Sequence, residues 1–298
     1  MTRRYVPSLL LLAAVWGASY LFIKVAVRDL EPAAMIELRL LLAAPILIGF
    51  AMFQRGRETA VREMRGAWRE GLVLGALNAA IPFTLIAWGE KHVDSGVAAV
   101  GNASVPIFVA LLAIPFAPSQ RSTGLRLVGV LVGLAGVAVL AGVDPRGGWW
   151  AVAGTLAVIL SSISYAGANI IAHRRMSVGG PVLAAASMVG GLLLLLPLAL
   201  TELPNHAPGW KALASVAALG ILGTGLAQVV LYRMLAIHGP SRTALVAYLL
   251  PPFALVYGVL FLGEPITTPE LAGLVLILGG VALGAGAVRS RRRAPQPA

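Results

Sequence analysis

The chain has 298 residues, 58% of them hydrophobic and 12% charged, and it contains no cysteine. Soluble domains are about 45–50% apolar and about 25% charged, so this composition excludes an ordinary soluble enzyme and a disordered protein, and the lack of cysteine excludes disulfides and thiolate chemistry. The net charge of +11 does not indicate nucleic acid as a partner, because the basic residues lie between apolar runs and not along one soluble face.

Ten apolar segments follow one another, each close to the roughly 20 residues that a helix needs to cross a bilayer. The first is preceded by Arg3 and Arg4, as in a signal peptide, but it continues without a small-residue cleavage site before Lys24. We therefore predict a retained first helix in an all-α membrane protein of ten transmembrane helices. The segments are 7–27, 33–53, 70–89, 95–117, 122–142, 150–172, 181–201, 210–232, 242–262 and 268–288.

Lysine and arginine are divided unevenly between the two sets of loops that ten spans define. One set, together with both termini, holds 17 of the 23 basic residues, the opposite set holds five, and Arg39 lies inside a helix. Because cytoplasmic loops are enriched in lysine and arginine, we predict that both termini are cytoplasmic, which requires an even number of spans. Residues 289–298 are predicted to form a basic cytoplasmic tail at the lipid headgroups.

The second half of the chain repeats the first at an offset of 145 residues. Ser104–Leu111 resembles Leu249–Val256, and two glycine positions recur at nearly the same offset. We predict two five-helix repeats, 7–142 and 150–288, and because five is odd the second repeat is inserted upside down. Inverted repeats are a recurrent plan of secondary transporters, with the substrate site between the repeats near the bilayer midplane.

A set of motifs is spread over nearly the whole chain. It comprises Trp16-Gly17-Ala18-Ser19-Tyr20, Lys24, Arg39, Glu90-Lys91-His92-Val93-Asp94-Ser95-Gly96, Asn102, Pro106, Pro251, Leu262-Gly263-Glu264-Pro265, Gly273 and Gly280. Together these residues resemble the ten-helix drug/metabolite transporter superfamily, in particular its proteins with two EamA-type domains. The first half departs from that pattern, because Pro118-Ser119-Gln120 stands where the second half has the glutamate turn of Glu264.

The resemblance implies a multi-pass transporter of the cell inner membrane, working as a monomer or a homodimer, that exports or exchanges amino acids, other metabolites or toxic organic compounds. It also implies a cavity lined mainly by helices 1, 3, 4, 6, 8 and 9. The small-molecule substrate and the lipid bilayer are then the expected partners, with protons or a substrate gradient as the energy source.

Amide and aromatic side chains on these helices are candidates for binding a substrate. An amide within lipid-like surroundings needs a hydrogen-bond partner, so it either joins helices or lines a wet cavity. Aromatic rings can stack on an apolar or aromatic substrate or on a cation. The predicted substrate-binding residues are Trp16, Tyr20, Asn78, Trp88, Asn102, Tyr165, Asn169, Gln228 and Tyr248.

Two charges and two prolines are candidates for coupling or gating. Glu37 and Arg39 lie within the second apolar segment, where a charge is costly, and they either face the pore or have structural roles. Pro106 and Pro251 occupy equivalent places in the two halves and either act as paired hinges or are ordinary kinks.

Other charged residues have simpler expected roles. Lys24 is predicted to extend toward the membrane interface, as lysines near helix ends commonly do. Residues 90–94 are predicted to form a solvated loop.

Enzymatic functions find little support in the sequence. There is no GxxxxGK[ST] motif for nucleotide phosphates, no pair of carboxylates placed to face one another within the membrane, and no histidine paired with a second metal ligand at helical spacing. We therefore expect no catalytic residues, no metal and no cofactor. The alternative to a transporter is a membrane-embedded pore or scaffold protein without coupled transport.

Overall fold

The computed structural model describes residues 5–116, 124–142, 148–175, 178–239, 243 and 245–291, and within these ranges all regular structure is helical. This confirms the predicted all-α class, and helical structure lies within each of the ten predicted segments. The helices are α1 (Tyr5–Ala26), α2 (Pro32–Arg55), α3 (Arg57–Gly66), α4 (Trp68–Glu90), α5 (Ser95–Asn102), α6 (Val105–Phe116), α7 (Leu125–Gly142), α8 (Gly148–Arg175), α9 (Gly180–Thr201), α10 (Trp210–His238), α11 (Val246–Tyr257) and α12 (Thr268–Arg291).

Within the part of the chain that the structure describes, seven stretches of helix are long and apolar enough to cross a membrane. They are α1, α2, α4, the α5–α6 stretch Ser95–Ile114, Gly148–Ala172 of α8, α9 and α10. Three shorter apolar helices, Leu127–Leu140, Leu249–Leu262 and Thr268–Leu283, add to these in the described residues.

Two features differ from the ten uninterrupted segments and plain loops that the sequence indicates. The basic stretch after α2, expected as a loop, forms the ten-residue helix α3, in which Ala60 is fully buried. A helix of ten residues is too short to cross a bilayer, which needs roughly 20 residues. The segment predicted at 95–117 is broken at Ala103 and Ser104, so that Pro106 lies in the first turn of α6, where the missing N–H of proline costs no hydrogen bond.

The two halves of the molecule, 5–142 and 148–291, pack against each other along their length. Helix α7 packs on α12, α9 packs on α2 and α4, α1 packs on α11, and α4 packs on α8. At the α4–α9 contact a Cβ added at Gly71 would lie 2.9 Å from the carbonyl oxygen of Ala186, so only glycine permits this approach. Gly71 and Gly75 have the GxxxG spacing that lets two helices approach closely, and the α4–α9 contact uses it.

The outer surface of the bundle is apolar. On α9, Leu193, Leu194, Leu198 and Leu200 are between 47% and 62% exposed. A continuous apolar surface of this kind on a helix with a buried opposite face fits contact with lipid chains.

The helices meet at two ends of the bundle. We call the end with the connections 27–31, 91–94, 202–209 and 263–267 the Asp29 end, and the opposite end the Arg55 end. Residues 117–123, 143–147, 292–298 and the side chain of Tyr248 lie outside the described residues, and with them lie Pro118-Ser119-Gln120 and most of the predicted basic tail.

Candidate substrate cavity

A cavity of about 440 Å³ lies between the two halves. This volume is within the roughly 300–1,000 Å³ of typical small-molecule sites. Its lining extends from Ile23 and Ile86, about one turn inside the Asp29 end of α1 and α4, to Ala172 and Leu183, close to the Arg55 end of α8 and α9. The cavity therefore extends along most of the bundle, and more of its lining lies toward the Arg55 end than toward the Asp29 end.

Most of the predicted binding residues lie together at this cavity. Those that line it are Trp16, Tyr20, Asn78, Asn102, Tyr165, Asn169 and Gln228, and Arg39 joins them. Trp88 does not, because its ring lies 4.6 Å from the His92 ring and 6.4 Å from the Trp150 ring at the Asp29 end.

Glu37, Pro106 and Pro251 lie outside the described lining. Glu37 is half-buried on α2, and its Oε2 atom has no hydrogen-bond partner in the described part of the chain. Pro106 follows the break between α5 and α6, whereas Pro251 lies inside α11. The two prolines thus lie at different positions within their helices, although they occupy equivalent places in the sequence of the two halves.

Two hydrogen bonds fix the aromatic residues of α1 in the cavity. The Nδ2 atom of Asn102 donates to the hydroxyl of Tyr20 at 2.8 Å, and Nε1 of Trp16 donates to the carbonyl oxygen of Gly223 at 3.1 Å. Because Gly223 belongs to the second half, these bonds tie α1 both to its own half and to the other.

The amide side chains divide into two pairs. Asn102 and Asn169 each donate a hydrogen bond to a protein acceptor. Asn102 donates to the hydroxyl of Tyr20, and Asn169 donates to the carbonyl oxygen of Tyr165 at 2.8 Å. Among the described residues Asn78 and Gln228 make no hydrogen bond, although both line the cavity. Their donors and acceptors are available to a bound molecule or to water.

Irregular helical turns place part of this lining. Asn78 lies in the π-helical turn Ala76–Ala80 of α4, and Gly223 and Thr224 lie in the π-helical stretch Ala218–Leu226 of α10. A π-helical turn widens the helix, and such turns occur frequently at functional sites. Thr224 cannot be recognised as a lining residue from the sequence, because a lone hydroxyl in a helix commonly bonds its own backbone.

Arg39 is the buried charge of the cavity, at 5% exposure. Its Nε atom donates to Oγ1 of Thr224 at 2.8 Å, and its Cζ atom lies 3.9 Å from the centre of the Phe83 ring. A cation over an aromatic face is attracted by the ring electrons. Helices α2, α4 and α10 therefore hold the guanidinium in place together.

Lys24 has a different role from the interface extension expected of it. Its Nζ atom donates to the carbonyl oxygens of Glu90 and Val93, both at 2.7 Å. These carbonyls lie at the C-terminal end of α4 and just after it, where backbone acceptors lack helical partners and a positive charge is favourable. Lys24 thus joins α1 to the end of α4.

The expectation of a solvated 90–94 loop is wrong for Glu90. Its side chain is completely buried, and neither carboxyl oxygen has a hydrogen-bond partner in the described part of the molecule. Lys24, Glu264 and Arg39 are the charged groups that interact with it electrostatically. The packing of the surrounding helices therefore keeps this carboxyl away from water.

Three carboxylates join the two halves at the Asp29 end. Oε2 of Glu202 accepts a hydrogen bond from the backbone N of Ala33 at 2.7 Å, and Oδ2 of Asp29 accepts one from the backbone N of Gly209 at 2.9 Å. Glu264 accepts hydrogen bonds from the backbone N and the Oγ atom of Ser95.

Each of these carboxylates contacts the N-terminal end of a helix in the other half. Free N–H groups and the helix dipole make such an end favourable for a negative charge. The set of Asp29, Glu202 and Glu264 with their backbone partners is called the carboxylate seal below. It joins the two halves at the Asp29 end, beyond Ile23 and Ile86 of the cavity lining.

His92 lies in the turn between α4 and α5. Its ring is stacked on Trp150, with centroids 5.1 Å apart and planes at 20°. Partial burial lowers the pKa of His92 from its ordinary value of 6.5, and the charges of Lys91 and Lys24 lower it further. The folded protein therefore favours the neutral imidazole.

This shift predicts a loss of stability in acid. Because the unfolded chain binds the proton more readily, the contribution of His92 is present above about pH 6.5 and is lost as the pH falls through the lower folded-state pKa. The melting temperature of His92→Phe, which keeps an aromatic ring, is expected to fall less between neutral and acidic pH than that of the unaltered protein. Parallel melting curves for the two proteins would contradict the assignment, and His206→Phe in an exposed loop is the control.

Apolar helices long enough to cross a membrane, with a cavity between two packed halves, fit the class of membrane transporters. The sequence matches the EamA-like transporter family over residues 4–142 and again over 152–285. These two matches cover most of the chain, which therefore belongs to this family. The membership confirms the predicted resemblance.

Relatives across bacteria support the same class. The chain is 28% identical to the "Uncharacterized inner membrane transporter YedA" of Escherichia coli, over 93% of this chain and 89% of that protein. It is 30% identical to the "Probable terminal-alkyne amino-acid exporter" of Streptantibioticus cattleyicolor, over 96% and 95% of the two chains. It is 26% identical to the "Probable amino-acid metabolite efflux pump" of Salmonella typhimurium, over 96% of each.

The fold also has a counterpart among solved structures. One crystal structure superposes with a TM-score of 0.67 at 20% sequence identity, covering 95% of this chain and 99% of the other. The family, the relatives and the apolar helices together identify the chain as a multi-pass transporter of the inner membrane.

Proposed function

We propose that the protein is a secondary transporter that exports or exchanges small metabolites by alternating access. The observation that carries this proposal is the cavity between the two halves, which has more of its lining toward the Arg55 end, while the carboxylate seal joins the halves at the Asp29 end. One state of an alternating-access cycle requires a cavity that leads toward one end of the bundle while contacts between the halves hold the other end together. Two exporter names among its relatives favour export.

The proposal includes the membrane topology. Ten helices cross the bilayer as two inverted five-helix repeats, 7–142 and 150–288, with both termini and the tail 289–298 in the cytoplasm. The excess of basic residues on one set of loops supports this orientation. The Arg55 end then faces the cytoplasm and the Asp29 end faces outward, so the described state is open toward the cell interior.

The proposed substrates are amino acids and aromatic or amine compounds. Trp16, Tyr20 and Tyr165 supply aromatic surface, and Asn78 and Gln228 supply free amide groups. The volume of about 440 Å³ suits a molecule of roughly the size of an aromatic amino acid or somewhat larger. We further propose that the protein acts as a monomer or a homodimer.

Proton coupling is part of the proposal, and two carboxyl groups are its candidates. Glu37 has one buried oxygen without a described partner, and Glu90 has two. An ionised carboxyl without a partner is costly in such surroundings, so each would gain from a proton. We measure export by Glu37→Gln and by Glu90→Gln under an imposed pH gradient. If both variants respond to the gradient as the unaltered protein does, neither residue carries the coupled proton.

A flux measurement tests the function. Proteoliposomes are loaded with a mixed pool of amino acids and aromatic amines, and released compounds are identified by mass with and without a pH gradient. Release of a few compounds is expected, and Ala172→Phe, which places a ring in the cavity, is expected to reduce it to the level of empty liposomes. Leu193→Phe on the lipid-facing surface is the matched control and should leave release unchanged.

The other outcomes are equally informative. Release of every small solute at similar rates would indicate a pore. No release from well-folded protein would favour a scaffold, and equal release by Ala172→Phe and the unaltered protein would exclude the cavity as the transport path.

A further inference from the structure

The cavity holds one formal charge among its described lining residues, and that charge is positive. Arg39 lines the cavity, and no aspartate or glutamate does. The ion pairs of the described residues are Arg55–Glu63 and Lys91–Glu31, so Arg39 is in neither. Glu90 interacts electrostatically with Arg39, but the two form no ion pair among the described residues.

The guanidinium of Arg39 is held in a position that leaves some of its N–H donors without a described acceptor. Of its five N–H donors, the one on Nε bonds Oγ1 of Thr224, and one face of the group lies on Phe83. The Thr224 hydroxyl donates to the carbonyl oxygen of Leu219 at 3.0 Å, which leaves its lone pair directed at Arg39. The four N–H donors on the two Nη atoms make no described hydrogen bond.

A planar edge of free N–H donors fits one kind of ligand well. Carboxylates and related oxyanions accept two parallel hydrogen bonds from a guanidinium, in a geometry that lysine cannot reproduce. An unpaired cation inside a membrane protein is costly, and a bound anion would remove that cost. The site therefore gains most from a ligand with a negative head group.

We infer that the cavity selects organic anions, with the carboxylate of the substrate on Arg39 and its aromatic or apolar body against the aromatic lining. This inference rests on the proposed function and narrows its substrate class. The body packs against Trp16, Tyr20 and Tyr165, and the free carbonyl oxygens of Asn78 and Gln228 accept hydrogen bonds from an amino group when the substrate is an amino acid. Amines without an acidic group are excluded, because they would place like charge beside Arg39.

A matched series of three compounds tests the inference by binding alone. The purified protein in detergent is melted with 3-phenylpropionate, with phenylalanine or with phenethylamine, which share the ring and chain but carry a negative, a zwitterionic and a positive head. A ligand that binds the folded state raises the melting temperature with its concentration. The acid and the amino acid are expected to raise it, and the amine is expected to have no effect.

Variants of Arg39 then assign the effect to the guanidinium. Arg39→Gln is expected to weaken binding of the acid about 10- to 100-fold, because charge-assisted hydrogen bonds are lost. Arg39→Lys keeps the charge but lacks the planar edge, and it is expected to bind the acid more weakly than the unaltered protein even if the glutamine variant fails to fold. Arg69→Gln, at an exposed arginine beside Trp68 and outside the cavity, is the control.

Three results would overturn the inference. They are stabilisation by phenethylamine equal to that by 3-phenylpropionate, stabilisation by none of the three compounds, and binding of the acid that is unchanged in both Arg39 variants. Because the flux measurement includes aromatic amines, selective release of those amines would sustain the proposed transporter while refuting the anion site. The two failures are therefore distinguishable.

Discussion

Gly190→Val is expected to prevent α9 from packing on α4 and to lower the free energy of unfolding by about 3 kcal/mol or more. A Cβ at position 190 would overlap the carbonyl group of Gly71 and lie 2.9 Å from the backbone N of Leu72. The atoms it would meet are backbone, so no side-chain rotation can relieve the overlap. Because α4 and α9 belong to different halves, the contact between the halves would have to widen.

The measurement is thermal unfolding in detergent followed by size-exclusion chromatography. Gly49→Val is the matched control, since nothing lies within 4 Å of a Cβ added at Gly49 in the C-terminal third of α2. Its stability should stay within about 0.5 kcal/mol of the unaltered protein. Similar melting of the two valine variants would mean that the α4–α9 contact contributes little to stability.

Removing Glu264 is expected to shift the protein toward a state open at the Asp29 end. Glu264→Ala deletes the acceptor of the Ser95 backbone N, at 3.0 Å, and of its hydroxyl, at 2.5 Å. Hydrogen bonds to a charged group contribute about 1.5–3 kcal/mol, which corresponds to a roughly 10- to 100-fold change in the ratio of open to closed molecules. No other change in the carboxylate seal removes as many hydrogen bonds.

The natural chain has no cysteine, so a single reporter thiol can measure this shift. Ser19→Cys places the thiol in the cavity, and a membrane-impermeant maleimide is applied from the Asp29 side of oriented vesicles. Faster labelling is expected when Glu264→Ala is added. Glu31→Ala is the control, because Glu31 pairs with Lys91 at the same end but within the first half, and such exposed pairs contribute little. Equal labelling in the two variants would refute the seal.

The amide and aromatic lining could be predicted because polar groups are expensive in lipid. Asn78 and Gln228 stand out in apolar segments, and a group that must find a partner is visible without a structure. Arg39 stands out for the same reason. The helical class and the repeat follow from segment length and from matching motifs, which need no knowledge of packing.

Other contacts could not be predicted, because they depend on residues far apart in sequence. Lys24 reaches carbonyls 66 and 69 positions away, and its place near a helix end favoured the commoner interface role. Glu90 lies within a run of charged residues that is typical of a solvated turn, and only the packing of neighbouring helices removes it from water. Thr224 gave no signal, since threonine is tolerated in any apolar helix by bonding its own backbone.

Because of the π-helical stretch Ala218–Leu226, the side chains that line the cavity depend on the exact number of residues in α10. A turn that closes on the fifth residue holds one residue more than an α-helical turn. One residue fewer between 218 and 226 would turn everything beyond it by about 100° about the axis of α10. Gln228 and Tyr232 would then leave the cavity with their chemistry unchanged, so among homologues a gap of one position in this stretch would alter the site as much as an exchange of side chains.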